Sequence, residues 1–300
     1  MRLSIYGSSK IIYHHIKSAK KNSFQIYSIC TSNQKSKNIQ IIAKKFGIKK
    51  IYYNWKKFIN DSVKNNSNML IAGRIKDNKK ILKECLKADL KILIEKPIFT
   101  ESCKFNEFLK FKKNIFVGYN RTYYQNIYEL KKITQKEKAD NIFINCPETN
   151  SKNISLNTCH IISIIIYLYG KISLIKKIKN KKSIFCIFET NKKIPIYINI
   201  NFNSPDNFSF EFNFKNKRVT LKPIEKLMIY KKIEITKLKN ENIYNPVISK
   251  IIDEYKISKS KPGFDLQYSN FKKFIRGKKS QYITISTAKE IVSICNTIQE

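Results

Sequence analysis

The spacing of apolar positions changes character near the middle of this chain. Five short, uninterrupted apolar runs, LSIY (3–6), QIYSIC (25–30), NMLIA (68–72), KILIE (91–95) and NIFVGY (114–119), have the make-up of strands buried on both faces of a parallel sheet. Between them, segments 10–21, 37–46, 55–63, 77–88 and 101–111 carry helical periodicity. That alternation predicts a Rossmann-like α/β domain over residues 1–119, with a doubly wound parallel sheet. Beyond it a helix is predicted at 156–169. Four runs with strand alternation follow, SIFCIFET, IPIYININF, FSFEFNF and KRVTLK, parted by N-K-K, S-P-D-N and K-N-K turn signals. They predict an α+β domain over residues 120–300, built on an antiparallel sheet with one wet face. Helices over FDLQYSNFKKFIRGKK, stopped at Gly277, and near 284–298 close the chain. The Asn/Lys-rich stretches 147–155 and 238–245 read as loops.

Composition narrows the class. At 42% hydrophobic, 300 residues can bury the cores of two domains. The longest apolar stretch, 161–169, is far short of the ~20 residues of a membrane helix. Lys, Ser and His break up the first twenty residues too often for a signal peptide, so a cytoplasmic protein is expected. The seven cysteines (Cys30, Cys85, Cys103, Cys146, Cys159, Cys186 and Cys295) are odd in number, with no C-x-x-C pair and no neighbouring His cluster. They read as reduced core residues, and no metal is expected. The net charge of +37 raises the question of nucleic acid, but only five of the 59 basic residues are arginine, the residue of bidentate recognition. Lysines spread evenly beside abundant Ile and Asn describe a solvated surface that favours anionic ligands. Neither a nucleic-acid nor a membrane partner is expected.

The first loop, LSIYGSSKIIYHH, has the outline of a dinucleotide-binding turn. Against G-x-G-x-x-G, Gly7 takes the first place, Ser9 the second and Ile12 the third. Serine adds a Cβ near the phosphates, isoleucine is expected to widen the spacing between helix and strand, and the helix N-terminus still offers amides to an anion. The acid that holds a ribose hydroxyl is missing: its place at the end of the second strand falls on Thr31. Thr31, Ser32 and Lys35 can instead surround a 2′-phosphate, which favours NADP over NAD.

Three further motifs carry a resemblance. Glu95-Lys96-Pro97 in ILIEKPIFTES closes the fifth strand, Tyr119-Asn120-Arg121 ends VGYNR, and His160 opens the helix of NTCHIISIIIYLYG. Lys96 stands at a strand's carboxyl end, where open α/β sheets bind ligands, and it precedes a proline that restrains its backbone. A lysine there can donate to a substrate oxygen or shuttle a proton. Together the motifs resemble the glucose-fructose oxidoreductase and inositol dehydrogenase (Gfo/Idh/MocA) family over essentially the whole chain.

The resemblance implies an NAD(P)-dependent oxidoreductase of carbohydrate metabolism, transferring hydride to or from a sugar or related hydroxy or carbonyl compound. Lys96 and His160 would be catalytic, and Glu95 would join Gly7, Ser9, Ile12, Thr31 and Ser32 around the cofactor. Tyr119, Asn120, Arg121 and Asn157 would meet substrate, with Arg121 also suited to a structural tie. His15 falls where the family often has a histidine. Two departures matter: Leu156 and Ser163 occupy places where family members commonly carry aspartate. Proton transfer is therefore expected to rest on Lys96 and His160, converging on one cleft beside Gly7. The alternative is a non-catalytic relative with a decayed cofactor loop that binds a metabolite or protein partner. In either case the C-terminal sheet is a candidate surface for homo-oligomerisation.

Overall fold

Six strands form one parallel sheet in the computed structural model, which describes residues 1–300 apart from Asn240 and Lys259. The strands are β1 (Arg2–Tyr6), β2 (Gln25–Cys30), β3 (Lys50–Tyr52), β4 (Asn68–Ile71), β5 (Ile92–Glu95) and β6 (Ile115–Gly118), in the order β3-β2-β1-β4-β5-β6. Helices α1 (Ile11–Lys21), α2 (Lys37–Phe46), α3 (Trp55–Lys64) and α4 (Ile75–Lys87) cross between them. Winding reverses between β1 and β4, the topological switch point at which such sheets bind ligands. Strand β3 escaped the apolar pattern because it has only three residues and none is fully buried. The segment expected as a helix at 101–111 is a 3₁₀ helix (Ser102–Phe111). Its buried anchors, Phe105 and Phe108, are three residues apart, and a helix of three residues per turn points both the same way.

The second unit comprises α5 (Gln125–Lys136), β7 (Asn141–Glu148), α6 (Cys159–Tyr169), β8 (Ile172–Lys179), β9 (Ser183–Thr190), β10 (Pro195–Phe202), β11 (Ser209–Phe214), β12 (Lys217–Leu221), β13 (Lys226–Leu238), β14 (Glu241–Asp253) and α7 (Glu254–Ile257). Its eight strands run β14-β13-β12-β11-β7-β10-β9-β8, antiparallel except where β10 lies parallel to β7. Alternation sorts the sides: Ile184, Cys186, Phe188, Ile196, Ile198 and Ile200 are buried, while Phe185, Tyr197 and Phe143 form a stacked row of partly exposed rings on the other face. The stretch expected as a loop at 238–245 is instead mostly strand: Leu238 ends β13 and residues 241–245 begin β14, where cross-strand pairing orders a largely exposed ribbon, with Asn240 outside the described residues. Six cysteines are buried as expected, but Cys103 is exposed. Among the described residues no helix is long and apolar enough to cross a membrane.

The division of the chain differs from a boundary at residue 119. The first unit is Met1–Tyr123 together with Ser260–Asn296, and the second is Tyr124–Lys259 with Thr297–Glu300. Helix α8 (Phe264–Ile275) and most of α9 (Ile285–Gln299) therefore return to the parallel-sheet unit. Asp265 of α8 accepts hydrogen bonds from Ser18 (2.6 Å), Lys21 (2.5 Å) and Ser260 (3.1 Å), and its carbonyl accepts from Asn22. Phe271 stacks on Phe24 with ring centroids 5.9 Å apart. The contacts of α8 with Ser18, Lys21, Asn22 and Phe24 join residues about 245 positions apart, beyond the reach of a local pattern.

Burial acts to raise the Asp265 carboxyl, but the hydrogen bonds from Lys21, Ser18 and Ser260 outweigh it and hold the group below the usual carboxylate range. Its stabilising contribution is therefore complete above that range and fades as the pH falls through the lowered value. Asp265→Asn should cost about 1–3 kcal/mol at neutral pH. Thermal unfolding should show the gap from the parent protein closing below a pH of about 4.

Candidate cofactor site and active site

Close backbone approach builds the first loop. Gly7 has a φ of +145°, and a Cβ placed there would lie 2.4 Å from the carbonyl oxygen of Ala72 at the end of β4. No other residue type fits. Gly73, next along, is held just as tightly: its Cβ would lie 2.5 Å from the ring of Tyr6. The backbone ladder runs past the strand ends through Gly7 N to Cys30 O (2.8 Å) and Ala72 N to Tyr6 O (2.8 Å).

Above this edge lies a cavity of about 480 Å³, lined by Gly7, Ser8, Ser9, Thr31, Ser32 and Arg74 together with Tyr6, Asn33, Ser36, Asn38, Ala72 and Gly73. Hydroxyls and amides dominate its wall, and its size suits a ligand the size of a nucleotide. A glycine whose place no Cβ can enter, set at the switch point beneath a polar cavity, fits the adenosine diphosphate half of a dinucleotide.

Four of the six expected cofactor residues line this cavity: Gly7, Ser9, Thr31 and Ser32. Thr31 is 4% exposed, and its hydroxyl meets that of Ser8 at 3.0 Å. Ile12 does not line it. Its side chain is fully buried in the core, with Cδ1 directly beneath Gly7, so the third fingerprint position serves packing.

Glu95 turns elsewhere too. Its Oε1 lies 3.1 Å from Nε2 of the fully buried His15, whose Nδ1 is 3.0 Å from the hydroxyl of buried Tyr268 on α8. Burial, with the charge of Glu95 adding, pushes the Tyr268 phenol well above its ordinary value. Lys35 is exposed and outside the lining, whereas Arg74, Gly73 and Asn33 line it without having been picked out by any fingerprint.

Lys96 follows β5 directly, half-buried, on the same carboxyl edge. The loop beyond it is pinned from two sides, by Asn78 Nδ2 to the Ile98 carbonyl (2.8 Å) and Asn296 Nδ2 to the Thr100 carbonyl (2.9 Å). Lys261 joins this neighbourhood from the segment before α8. Desolvation lowers its ammonium from the usual lysine range, Glu95 opposes the shift, and the nearby charges of Arg121 and Lys96 add to it. Lys261 thus feels one carboxylate and two further cations. Tyr119 is fully buried, and Asn120 donates to the Pro262 carbonyl at 3.2 Å, which makes Asn120 a tie between segments of this unit.

His160 and Asn157 belong to the second unit. A π-helical turn over Ile154–Thr158 leads into α6, and His160 sits in the first turn of that helix, 9% exposed. The buried Glu148 holds this turn. Its carboxylate accepts from Thr158 N (3.0 Å), Thr158 Oγ1 (2.6 Å) and Asn157 Nδ2 (3.1 Å), so Asn157 is engaged by its own unit. Glu148 had a legible signal: counted by twos from Ile142 through Ile144 and Cys146, it falls on the buried side of β7. At the two departures, Leu156 lies in the π turn and Ser163 donates to the His160 carbonyl at 2.7 Å.

Comparison with known proteins agrees with this geometry. Residues 1–115 match the family described as "Oxidoreductase family, NAD-binding Rossmann fold", Gfo/Idh/MocA. No curated protein matches the sequence.

Solved structures with the same fold include an oxidoreductase from Agrobacterium radiobacter in complex with NAD+, L-tartaric acid and magnesium (TM-score 0.76, 11% identity, 99% of this chain and 94% of that one). A putative NADPH-dependent oxidoreductase from Desulfitobacterium hafniense scores 0.80 at 10% identity, over 99% and 94% of the two chains. UDP-N-acetylglucosamine 3-dehydrogenase from Acidithiobacillus ferrooxidans scores 0.74 at 8% identity, over 100% and 96%. The chain thus shares its fold with these enzymes at 8–11% sequence identity.

The two glycines should respond differently to alanine. Gly73→Ala crowds a ring that can shift and should cost about 1–3 kcal/mol. Gly7→Ala meets backbone at a φ that a side chain rarely adopts and should cost more, about 2–5 kcal/mol. Thermal unfolding of the two variants tests the order.

Proposed function

We propose that the protein is an NAD(P)-dependent oxidoreductase that transfers hydride to or from a sugar-like or other hydroxyl- or carbonyl-bearing small molecule, with NADP(H) favoured. The observation that carries this reading is the placement of Lys96 at the carboxyl end of β5, on the same sheet edge as the Gly7 turn and its polar cavity. The match of residues 1–115 to an NAD-binding family supports the cofactor class. The L-tartaric acid bound to one fold relative and the nucleotide sugar in the name of another support the hydroxylated class.

Bound at this edge, a nicotinamide dinucleotide supplies the hydride acceptor or donor. Gly7 and Ser9 receive the phosphates, while Thr31 and Ser32 face the adenosine ribose. Lys96 donates a hydrogen bond to the reacting oxygen, giving up a proton when a carbonyl is reduced and taking one when an alcohol is oxidised. Arg121 and Lys261 keep the surroundings positive, which favours an oxygen that gains negative charge. His160 is the second acid–base candidate and Tyr119 a shaping residue for substrate. Asn157 and Asn120 act by fixing the backbone that carries these groups.

Titration of NADPH and NADH fluorescence with the purified protein should show binding, and Ser9→Gly should tighten it. Lys96→Ala should keep the dinucleotide affinity and circular dichroism of the parent while lowering kcat about 10²–10⁴-fold. Full turnover in Lys96→Ala rules out the catalytic assignment. Dinucleotide binding without turnover of any hydroxylated substrate favours a non-catalytic relative, the reading to which Leu156 in the usual aspartate position points.

A further inference from the structure

The cavity at the switch point contains one cation, and it comes from an unexpected place. Arg74 is the N-cap residue of α4, carried on the loop after β4 and not on the loop after β2. Its Nη2 donates to Ser32 Oγ at 2.8 Å, reaching across to the residues that follow β2. Its Nε donates to Asp77 Oδ2 at 3.2 Å. Asp77 is 3% exposed and is secured further by Tyr6 Oη (3.1 Å) and Lys80 Nζ (2.8 Å). The guanidinium is thus aimed by a buried carboxylate that is itself fixed, while the arginine side chain remains 58% exposed. None of the described residues lining the cavity is acidic. A site for an unmodified ribose usually presents a carboxylate to the 2′-hydroxyl, and here the corresponding residue, Thr31, is engaged with Ser8. A planar fork anchored through Nε to Asp77, with its Nη2 end beside a hydroxyl and no acid in the cavity lining, is an arrangement suited to phosphate.

We infer that Arg74, with Ser32, seats the 2′-phosphate of NADP(H) and is the residue that sets cofactor preference in this protein. The inference rests on the dinucleotide reading above and goes beyond it by assigning selectivity to the β4–α4 loop. The Asp77 contact orients the fork so that an incoming phosphate need only displace or share the Ser32 hydroxyl. Gly73 is part of the same device, since it lets the loop rest on the Tyr6 ring and brings Arg74 over the cavity.

Calorimetric titration with 2′,5′-ADP and 5′-AMP tests the inference without nicotinamide or turnover. The parent protein should bind 2′,5′-ADP about 10- to 100-fold more tightly than 5′-AMP, and NADPH more tightly than NADH by a similar factor. In Arg74→Ala both preferences should collapse, with 5′-AMP and NADH affinities little changed and circular dichroism the same as the parent's. Equal affinity of the parent for the two mononucleotides overturns the inference, as does an Arg74→Ala variant that keeps the preference or weakens both ligands alike. Failure of the nicotinamide reading looks different: the parent then binds neither NADH nor NADPH, whatever the 2′,5′-ADP titration gives.

Discussion

Everything at the cofactor edge depends on the distance between the carboxyl ends of β1 and β4. The two chains approach so closely that a methyl group at Gly7 would collide with the Ala72 carbonyl, and one at Gly73 with the Tyr6 ring. Because neither position carries a side chain, the backbone ladder continues beyond the last strand residues, and the cavity opens directly above it. The same approach decides the fate of the third fingerprint position. With Gly7 already supplying the close passage, Ile12 can turn its side chain down into the core and be buried completely. The loop therefore keeps its shape with one fingerprint glycine instead of three.

Carboxylates are the scarce component of a chain with a net charge of +37, and the structure places several of them at buried junctions. Asp77 gathers Tyr6, Arg74 and Lys80; Glu95 meets His15; Asp265 joins α8 to α1; Glu148 secures the turn before His160; Glu254 accepts the Asn126 amide at 2.6 Å. Burial raises the energy of each charge, and several donors offset it, so these groups fix geometry more than they add stability. Tyr6 registers the cost: burial first, and the Asp77 charge after it, push its phenol up to about 12. The exposed lysines do little comparable work, since surface pairs contribute at most about 1 kcal/mol each.

The departures from the family pattern also have structural accounts. Ser163, at a place where aspartate is common, closes a local hydrogen bond to its own helix, and Asn157 is turned to Glu148. Both polar groups are engaged within the second unit.

Local pattern was enough for elements that bury whole runs or alternate strictly. Strands β1, β2, β4, β5 and β6 and the β9 to β12 series were legible, because burial on two faces or on one leaves a mark in the sequence itself. The Glu-Lys-Pro and His160 motifs and the Gly7 turn were legible for the same reason, as short signals in fixed positions. Three kinds of fact were not. Strand β3 is too short, and β8, β13 and β14 are too exposed, to leave a pattern. The return of α8 to the first unit rests on contacts such as Ser18 to Asp265, across 247 positions. The partners of Glu95 and the reach of Arg74 to Ser32 depend on which strands are neighbours, and sheet order is a property of the folded chain. Sequence determines which residues are available to a site by their spacing. Only the tertiary structure decides which of them meet, since a side chain's partner is set by packing between distant segments.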